Sequence, residues 1–146
     1  MVIELEKRLT IPFIFLIIFS LTGCAFRSPQ LYDGPRMPRT QVSVLLWGER
    51  QETLWGYYII SVDKVNGRVL PPKENSIELL PGEYQISVSC SFAEYSGLKY
   101  FSANDQIITL NAGPGHFYKI RGWTSWLPPR SWNARIDDIT ENLDEY

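Results

Sequence analysis

The stretch Tyr84–Cys90 constrains the fold of this chain more than any other segment. Its residues alternate strictly between an apolar set (Tyr84, Ile86, Val88, Cys90) and a polar set (Gln85, Ser87, Ser89). Successive side chains of a β-strand point to opposite sides of a sheet, so this alternation predicts a strand with one buried face. The turn pair Pro81-Gly82 shortly before it marks where the strand begins.

Shorter segments of the same kind recur along the chain and indicate an all-β fold. Asn66-Gly67 predicts a two-residue hairpin turn, because both turn positions require a positive φ. Aromatic residues make up 14% of the chain, and 10 prolines and 10 glycines favour turns and strands over helices. Regularly spaced short strands are typical of a sandwich or barrel, and we predict a small antiparallel β-sandwich of about seven strands. The candidate strands are 41–47, 57–65, 68–70, 77–80, 84–90, 98–101, 106–110, 116–123 and 132–136.

Two passages in the middle of the chain resemble a known envelope domain. Ser61-Val62-Asp63, followed by Ile77-Glu78-Leu79-Leu80-Pro81-Gly82 and the alternating strand, is similar to the core pattern of PEGA-like and related β-sandwich domains of bacterial envelope proteins. Lys64 stands where that pattern has a glycine. The resemblance implies a β-sandwich fold and does not imply any activity.

The N-terminal segment has the layout of an export signal. Lys7-Arg8 precedes an apolar run, Ile11–Leu21, which ends in Leu21-Thr22-Gly23-Cys24. This arrangement resembles the lipobox of bacterial lipoproteins. The resemblance implies a diacylglycerol on the Cys24 sulfur, cleavage after Gly23 and acylation of the new amino terminus. The run is about half the roughly 20 residues that a membrane span needs; a retained span and a buried helix remain the alternatives.

The expected organisation follows from that motif. Residues 1–23 are predicted as the signal peptide, 24–40 as the acylated cysteine with an extended proline-rich tether, and 41–146 as the sandwich with an acidic C-terminal tail. Two or more acyl chains hold a protein firmly to a membrane. Ala25 follows the cysteine, where enteric-type lipoproteins of the inner membrane carry aspartate, so the resemblance favours the outer membrane, facing the periplasm.

The sequence offers little for catalysis. His116 is the single histidine, and no nucleophile motif or phosphate-binding glycine loop accompanies it. If Cys24 is acylated, Cys90 is a lone thiol that we expect to be buried. The net charge is −2 with no basic patch, which excludes a typical nucleic-acid binder. We therefore predict no catalytic residue, no cofactor and no metal.

One segment has an unusual composition, because tryptophans and arginines alternate between residues 121 and 135. Flat rings and guanidinium groups can bind a glycan or an envelope protein. The alternative is that the rings cover the open end of the sandwich, aided by Trp55, Tyr57 and Tyr58, while the arginines stack on them. The candidate contact residues are Trp123, Trp126, Trp132, Arg121 and Arg130.

These features predict a membrane-anchored lipoprotein whose sandwich is a non-enzymatic binding or structural module of the cell envelope. Its predicted partners are membrane lipid, through acylated Cys24, and an envelope protein or glycan. One alternative is a component of an envelope-spanning assembly, such as the β-sandwich lipoprotein of type VI secretion, which has this size and anchor. Another is an enzyme that acts on glycans or peptides.

Overall fold

The computed structural model describes residues 28–101, 105–124 and 131–145, and in these residues β-strands dominate. Short 3-10 segments flank the strands in these residues, at Arg39–Gln41 and at Thr140–Glu145, and the second is interrupted by the non-helical Asn142 and lies in the predicted acidic tail. The strands in the described part of the chain are β1 (Ser43–Leu46), β2 (Arg50–Glu52), β3 (Gly56–Val65), β4 (Arg68–Val69), β5 (Ser76–Leu79), β6 (Gly82–Glu94), β7 (Lys99–Phe101), β8 (Gln106–Ala112), β9 (Phe117–Thr124) and β10 (Trp132–Asp138). The strand β2 lies where the sequence predicted a loop.

The strands form two sheets that pack face to face, which confirms the predicted all-β sandwich. The first sheet has the order β10-β9-β1-β5. The second has the order β2-β3-β6-β7, with β4 also beside β3 and β8 also beside β6. Because β2 and β4 pair with different parts of β3, and β7 and β8 with different parts of β6, the second sheet is four strands wide.

Both sheets contribute to a single core. Burial alternates along β6 as predicted, since Ile86, Val88 and Cys90 are buried and Tyr84 packs against the core at its rim. The predicted hairpin between β3 and β4 is confirmed, with Asn66 at φ 48° and Gly67 at φ 77°. The first sheet supplies a matching apolar layer that closes the core; it includes Leu45, Ile77, Leu79, Tyr118, Ile120 and Trp132.

One pair of strands departs from the antiparallel arrangement. The strands β1 and β9 are parallel, with Leu45 opposite Tyr118. After β1 the chain continues into β2 of the second sheet, and it enters β9 from β8 of that same sheet. No hairpin joins the two strands, and the long connection through the second sheet permits the parallel pairing.

The strand directions define two ends of the sandwich. At the Trp55 end, β3 begins and β6 ends, and the turns at 53–56 and 95–98 lie there. At the Asn66 end, β3 ends and β6 begins. The strand β8 finishes beside Gly82, and a short turn leads into β9. Hence β9 and its parallel partner β1 run towards the Trp55 end, and β5 runs away from it.

The N-terminal arm, residues 28–41, is bound to the first sheet. The Leu31 N–H group donates to the Glu78 carbonyl oxygen (2.9 Å), and the Glu78 N–H group donates to the Pro29 carbonyl oxygen (2.7 Å). These bonds join the arm to the edge of β5 in parallel orientation. Part of the segment predicted as an extended tether thus extends the first sheet. Across the described ranges, the structure contains no helix with the length and hydropathy that a membrane span requires.

Candidate functional site

The structure describes three of the candidate residues proposed from the sequence. Arg121 and Trp123 lie on β9, and Trp132 begins β10. The predicted lipidation site Cys24 and the loop residues Trp126 and Arg130 lie outside the described residues. Their roles remain predictions.

The two described tryptophans of this group have different environments. Trp132 is 7% exposed and belongs to the core, so its ring covers the sandwich and is not available to a partner. Its carbonyl oxygen accepts a hydrogen bond from the Gln106 side chain. Trp123 is 49% exposed and lies opposite Asn133. Trp132 therefore fits the interpretation that the tryptophan rings cover the sandwich. The Trp123 ring remains accessible, as the partner-binding interpretation needs.

Charged side chains share the outer face of β9 and β10 with Trp123. Arg121 and Arg135 are cross-strand neighbours, an arrangement that repels unless a counter-charge is near. Asp137 supplies it, with Oδ2 3.7 Å from Arg121 Nε and Oδ1 3.0 Å from Arg135 Nε. Both arginines are thus held beside one carboxylate, on the same outer face of the sheet as Trp123.

A second group of exposed side chains is apolar, and only one of its members, Trp55, was named from the sequence. We call it the apolar corner, and it consists of Leu54 and Trp55 in the β2–β3 turn and Tyr95 and Leu98 in the β6–β7 turn. Their exposed fractions are 74%, 69%, 61% and 56% in that order. The sequence grouped Trp55 with Tyr57 and Tyr58 as cover. In the structure Tyr58 is buried, whereas Trp55 projects at the tip.

Close approach of two strands brings the two turns of the apolar corner together. The Tyr95 N–H group donates to the Trp55 carbonyl oxygen (3.1 Å), which ties one turn to the other. At Gly56 an added Cβ would lie 2.1 Å from the Ala93 carbonyl oxygen, so only glycine permits this approach. A sequence signal existed, since each turn carries two large apolar residues, but their proximity depends on pairing across about 40 residues of chain.

The arm is fixed by a buried carboxylate. Glu78 is buried, and its Oε1 lies 3.6 Å from Arg36 Nη1 and 3.7 Å from Arg39 Nη1. Arg39 also lies over the Phe117 ring, 4.2 Å from its centre. Burial lowers the pKa of Arg39, and the neighbouring Glu78 carboxylate opposes that effect. A buried charge requires such partners, so the arm is part of what makes Glu78 tolerable on the sheet.

A shallow groove lies between the arm and the second sheet at the Asn66 end. Its volume is about 270 Å³, and the Arg68 guanidinium at its rim donates to the Leu31 carbonyl oxygen (2.8 Å). The lining residues are Leu31, Tyr32, Val65, Asn66, Arg68 and Tyr84. The Arg68 guanidinium is thus hydrogen-bonded to the backbone of the arm. The lining residues include no acid–base pair and no nucleophile beside a base.

The two side chains best suited to catalysis, those of Cys90 and His116, occupy ordinary structural environments. Burial raises the pKa of the Cys90 thiol to about 11, which suppresses the thiolate at neutral pH. The His116 Nδ1 atom lies 2.6 Å from Asp138 Oδ2 at the exposed start of β9. Within 28–101, 105–124 and 131–145, no three His, Cys, Asp or Glu side chains are grouped so that they could hold a metal ion.

Comparisons of this chain with protein-family models, with curated proteins and with solved structures find no match.

Proposed function

We propose that this protein is a lipid-anchored component of a bacterial cell envelope, held through acyl chains on Cys24. The observation that carries the proposal is the motif Leu21-Thr22-Gly23-Cys24 directly after a short apolar run. The motif stands a few residues before the arm, whose first backbone bond to the sandwich involves Pro29. Acyl chains on Cys24 would therefore hold the folded body close to the membrane surface. The proposed location is the outer membrane, facing the periplasm.

We further propose that the sandwich acts by binding or by structural support rather than by catalysis. The described side chains with exposed rings, Trp123 and those of the apolar corner, form surfaces instead of a cleft. Aromatic and arginine side chains on a rigid sheet can bind a protein or glycan at low entropic cost. The face around Trp123, with Arg121 and Arg135 beside it, is the proposed partner surface.

Fatty-acid labelling tests the anchor. Cells that express the protein are grown with an alkyne-tagged fatty acid, and the purified chain is coupled to a dye. We expect label on the wild type and on Cys90→Ala, and loss of label on Cys24→Ala. Since both variants remove one thiol, Cys90→Ala is the matched control. Undiminished label on Cys24→Ala would overturn the proposed anchor.

A thiol count in urea gives an independent measurement. The chain has two cysteines, so thioether formation at Cys24 leaves one titratable thiol per chain, that of Cys90. We expect one thiol in the unfolded wild type and none in Cys90→Ala. Two thiols in the wild type would contradict acylation.

A further inference from the structure

We propose that the apolar corner, formed by Leu54, Trp55, Tyr95 and Leu98, contacts the lipid bilayer that carries the Cys24 anchor. The inference rests on the proposed anchor and assigns an orientation to the sandwich. Its partner is the interfacial region of a phospholipid membrane, where headgroups meet acyl chains.

The arm enters the first sheet from the side of the apolar corner. The arm pairs with β5 in parallel orientation at Glu78, and β5 runs away from the Trp55 end. The described arm therefore begins, at Ser28, on the side of Glu78 that faces the Trp55 end. The arm also lies on the edge where β2 and β4 flank β3, as the bond from Arg68 to Leu31 shows. The β2–β3 turn stands at the far end of that edge.

The length of the connection keeps the sandwich close to the membrane. Four peptide units join Cys24 to Ser28, and they span at most about 14 Å. Parallel register with β5 puts Ser28 near the level of Ser76, which pairs with Leu46. The Gly48 N–H group bonds to the Ile60 carbonyl oxygen of β3, so at about 3.3 Å per residue the Trp55 turn stands roughly 25 Å further along the strands than Ser28. The tether is shorter than this height, so an upright sandwich could not bring the anchor and the turn to one bilayer together. The proposed orientation therefore requires the sandwich to tilt, with its β2 edge towards the lipid.

The chemistry of the apolar corner suits a membrane interface. Tryptophan and tyrosine rings are favoured where an apolar region meets a wet one. The acidic residues Glu52 and Glu94 adjoin the apolar corner. Glu52 accepts a hydrogen bond from the Tyr95 hydroxyl group and forms an ion pair with Arg50, and Glu94 accepts a hydrogen bond from the Ser96 hydroxyl group. These bonds partly offset the two charges at the bilayer surface. Two leucines at the tips add apolar surface without a further charge.

Fluorescence quenching by brominated lipid tests the orientation. The full processed chain is reconstituted into vesicles of phosphatidylethanolamine and phosphatidylglycerol, with bromine on the acyl chains or without it. The Trp55 contribution is the difference in emission between the wild type and Trp55→Phe. We expect bromine to lower this contribution by about half or more, as for a ring at the interfacial depth.

A tryptophan at the opposite end is the matched control. Val69, in the hairpin at the Asn66 end, is exposed to nearly the same extent as Trp55. In the Trp55→Phe/Val69→Trp chain, the added emission should be equal with and without bromine. If the Trp55 emission of vesicle-bound protein is the same with and without bromine, the proposed orientation is wrong. That result would assign the apolar corner to a protein or glycan partner. Quenching at position 69 instead of position 55 would overturn the orientation as well.

The outcome for the anchor is read separately in the same samples. A chain with two titratable thiols in urea lacks the thioether, and both proposals then fail. A chain with one thiol that floats with the vesicles retains the anchor, so an unquenched Trp55 in that sample refutes the orientation alone.

Discussion

The Tyr58 hydroxyl group on β3 lies 2.7 Å from the carbonyl oxygen of Gly122 on β9, and this hydrogen bond joins the two sheets through the core. Burial raises the pKa of Tyr58, so the hydroxyl group stays protonated and remains a donor. Gly122 leaves room for this contact, because an added Cβ there would lie 2.6 Å from Ile60 Cδ1 and would displace the Ile60 side chain. Strand β9 can therefore approach β3 closely enough for the bond to form.

Removal of that hydroxyl group should destabilise the fold. We expect Tyr58→Phe to lower the free energy of unfolding by about 1–2 kcal/mol, since a buried carbonyl group loses its partner. Tyr57→Phe is the control, because Tyr57 lies on the outer face under the Arg50 guanidinium, 3.7 Å from the ring centre, and a phenyl ring preserves that contact. Urea unfolding measures both variants, and equal losses would contradict the role of the bond.

The register of β6 predicts opposite responses at adjacent positions. Val88 is fully buried, so Val88→Asp places an unpaired charge in the core and should cost several kcal/mol or prevent folding. Ser87 faces outward, and Ser87→Asp should change stability by less than about 1 kcal/mol. Thermal melting of the two variants decides the matter, and similar melting temperatures would refute this register.

The two described tryptophans of the arginine-rich segment should differ in the same way. Trp132→Ala removes a core ring and should cost about 3 kcal/mol or more. Trp123→Ala removes a half-exposed ring and should cost under about 1 kcal/mol while it weakens binding of an envelope partner. Urea titrations give the stability difference. A large loss in Trp123→Ala would mean that its ring supports the sheet.

Acid should weaken the junction between the start of β9 and the C-terminal segment. Burial tends to raise the pKa of Asp138, but hydrogen bonds from Thr140 and His116 together hold it below its usual 3.8. A lowered folded-state pKa contributes stability that is present above pH 3.8 and is lost as the pH falls through the folded value. Because the carboxylate is nearly half exposed, the contribution is under about 1 kcal/mol.

The variant Asp138→Asn reports this contribution. It should be less stable than the wild type at pH 6, and the difference should shrink between about pH 5 and pH 3. Melting curves at several pH values provide the comparison. A difference that does not change with pH would exclude ionisation of Asp138 as its source.

The ion pairs of Glu78 should hold the arm against the sheet. Glu78→Gln keeps the shape and removes the charge that faces Arg36 and Arg39. We expect trypsin to cleave at these arginines about tenfold faster, since cleavage follows the population of the open arm. Glu83→Gln, at an exposed position on β6, should leave the rate unchanged. Equal rates in both variants would show that backbone bonds alone retain the arm.

Local patterns in the sequence determined the strands and their faces. The alternation of Tyr84–Cys90 and the Asn66-Gly67 turn were sufficient because strand periodicity and positive φ are properties of adjacent residues. The short β2 was missed because its polar residues show no apolar alternation. The motif that ends at Cys24 likewise belongs to the sequence alone, and the anchor it predicts awaits the labelling experiment.

Tertiary structure decided which strands meet and therefore which rings are buried. The parallel pairing of β1 with β9 joins segments about 70 residues apart, and no local signal encodes it. Pairing of β9 with β10 sends Trp132 into the core and leaves Trp123 outside, although both are tryptophans in one segment. The apolar corner exists only because Gly56 allows β3 and β6 to approach, which brings Trp55 beside Tyr95. Burial of a side chain depends on long-range pairing and register, and composition does not contain that information.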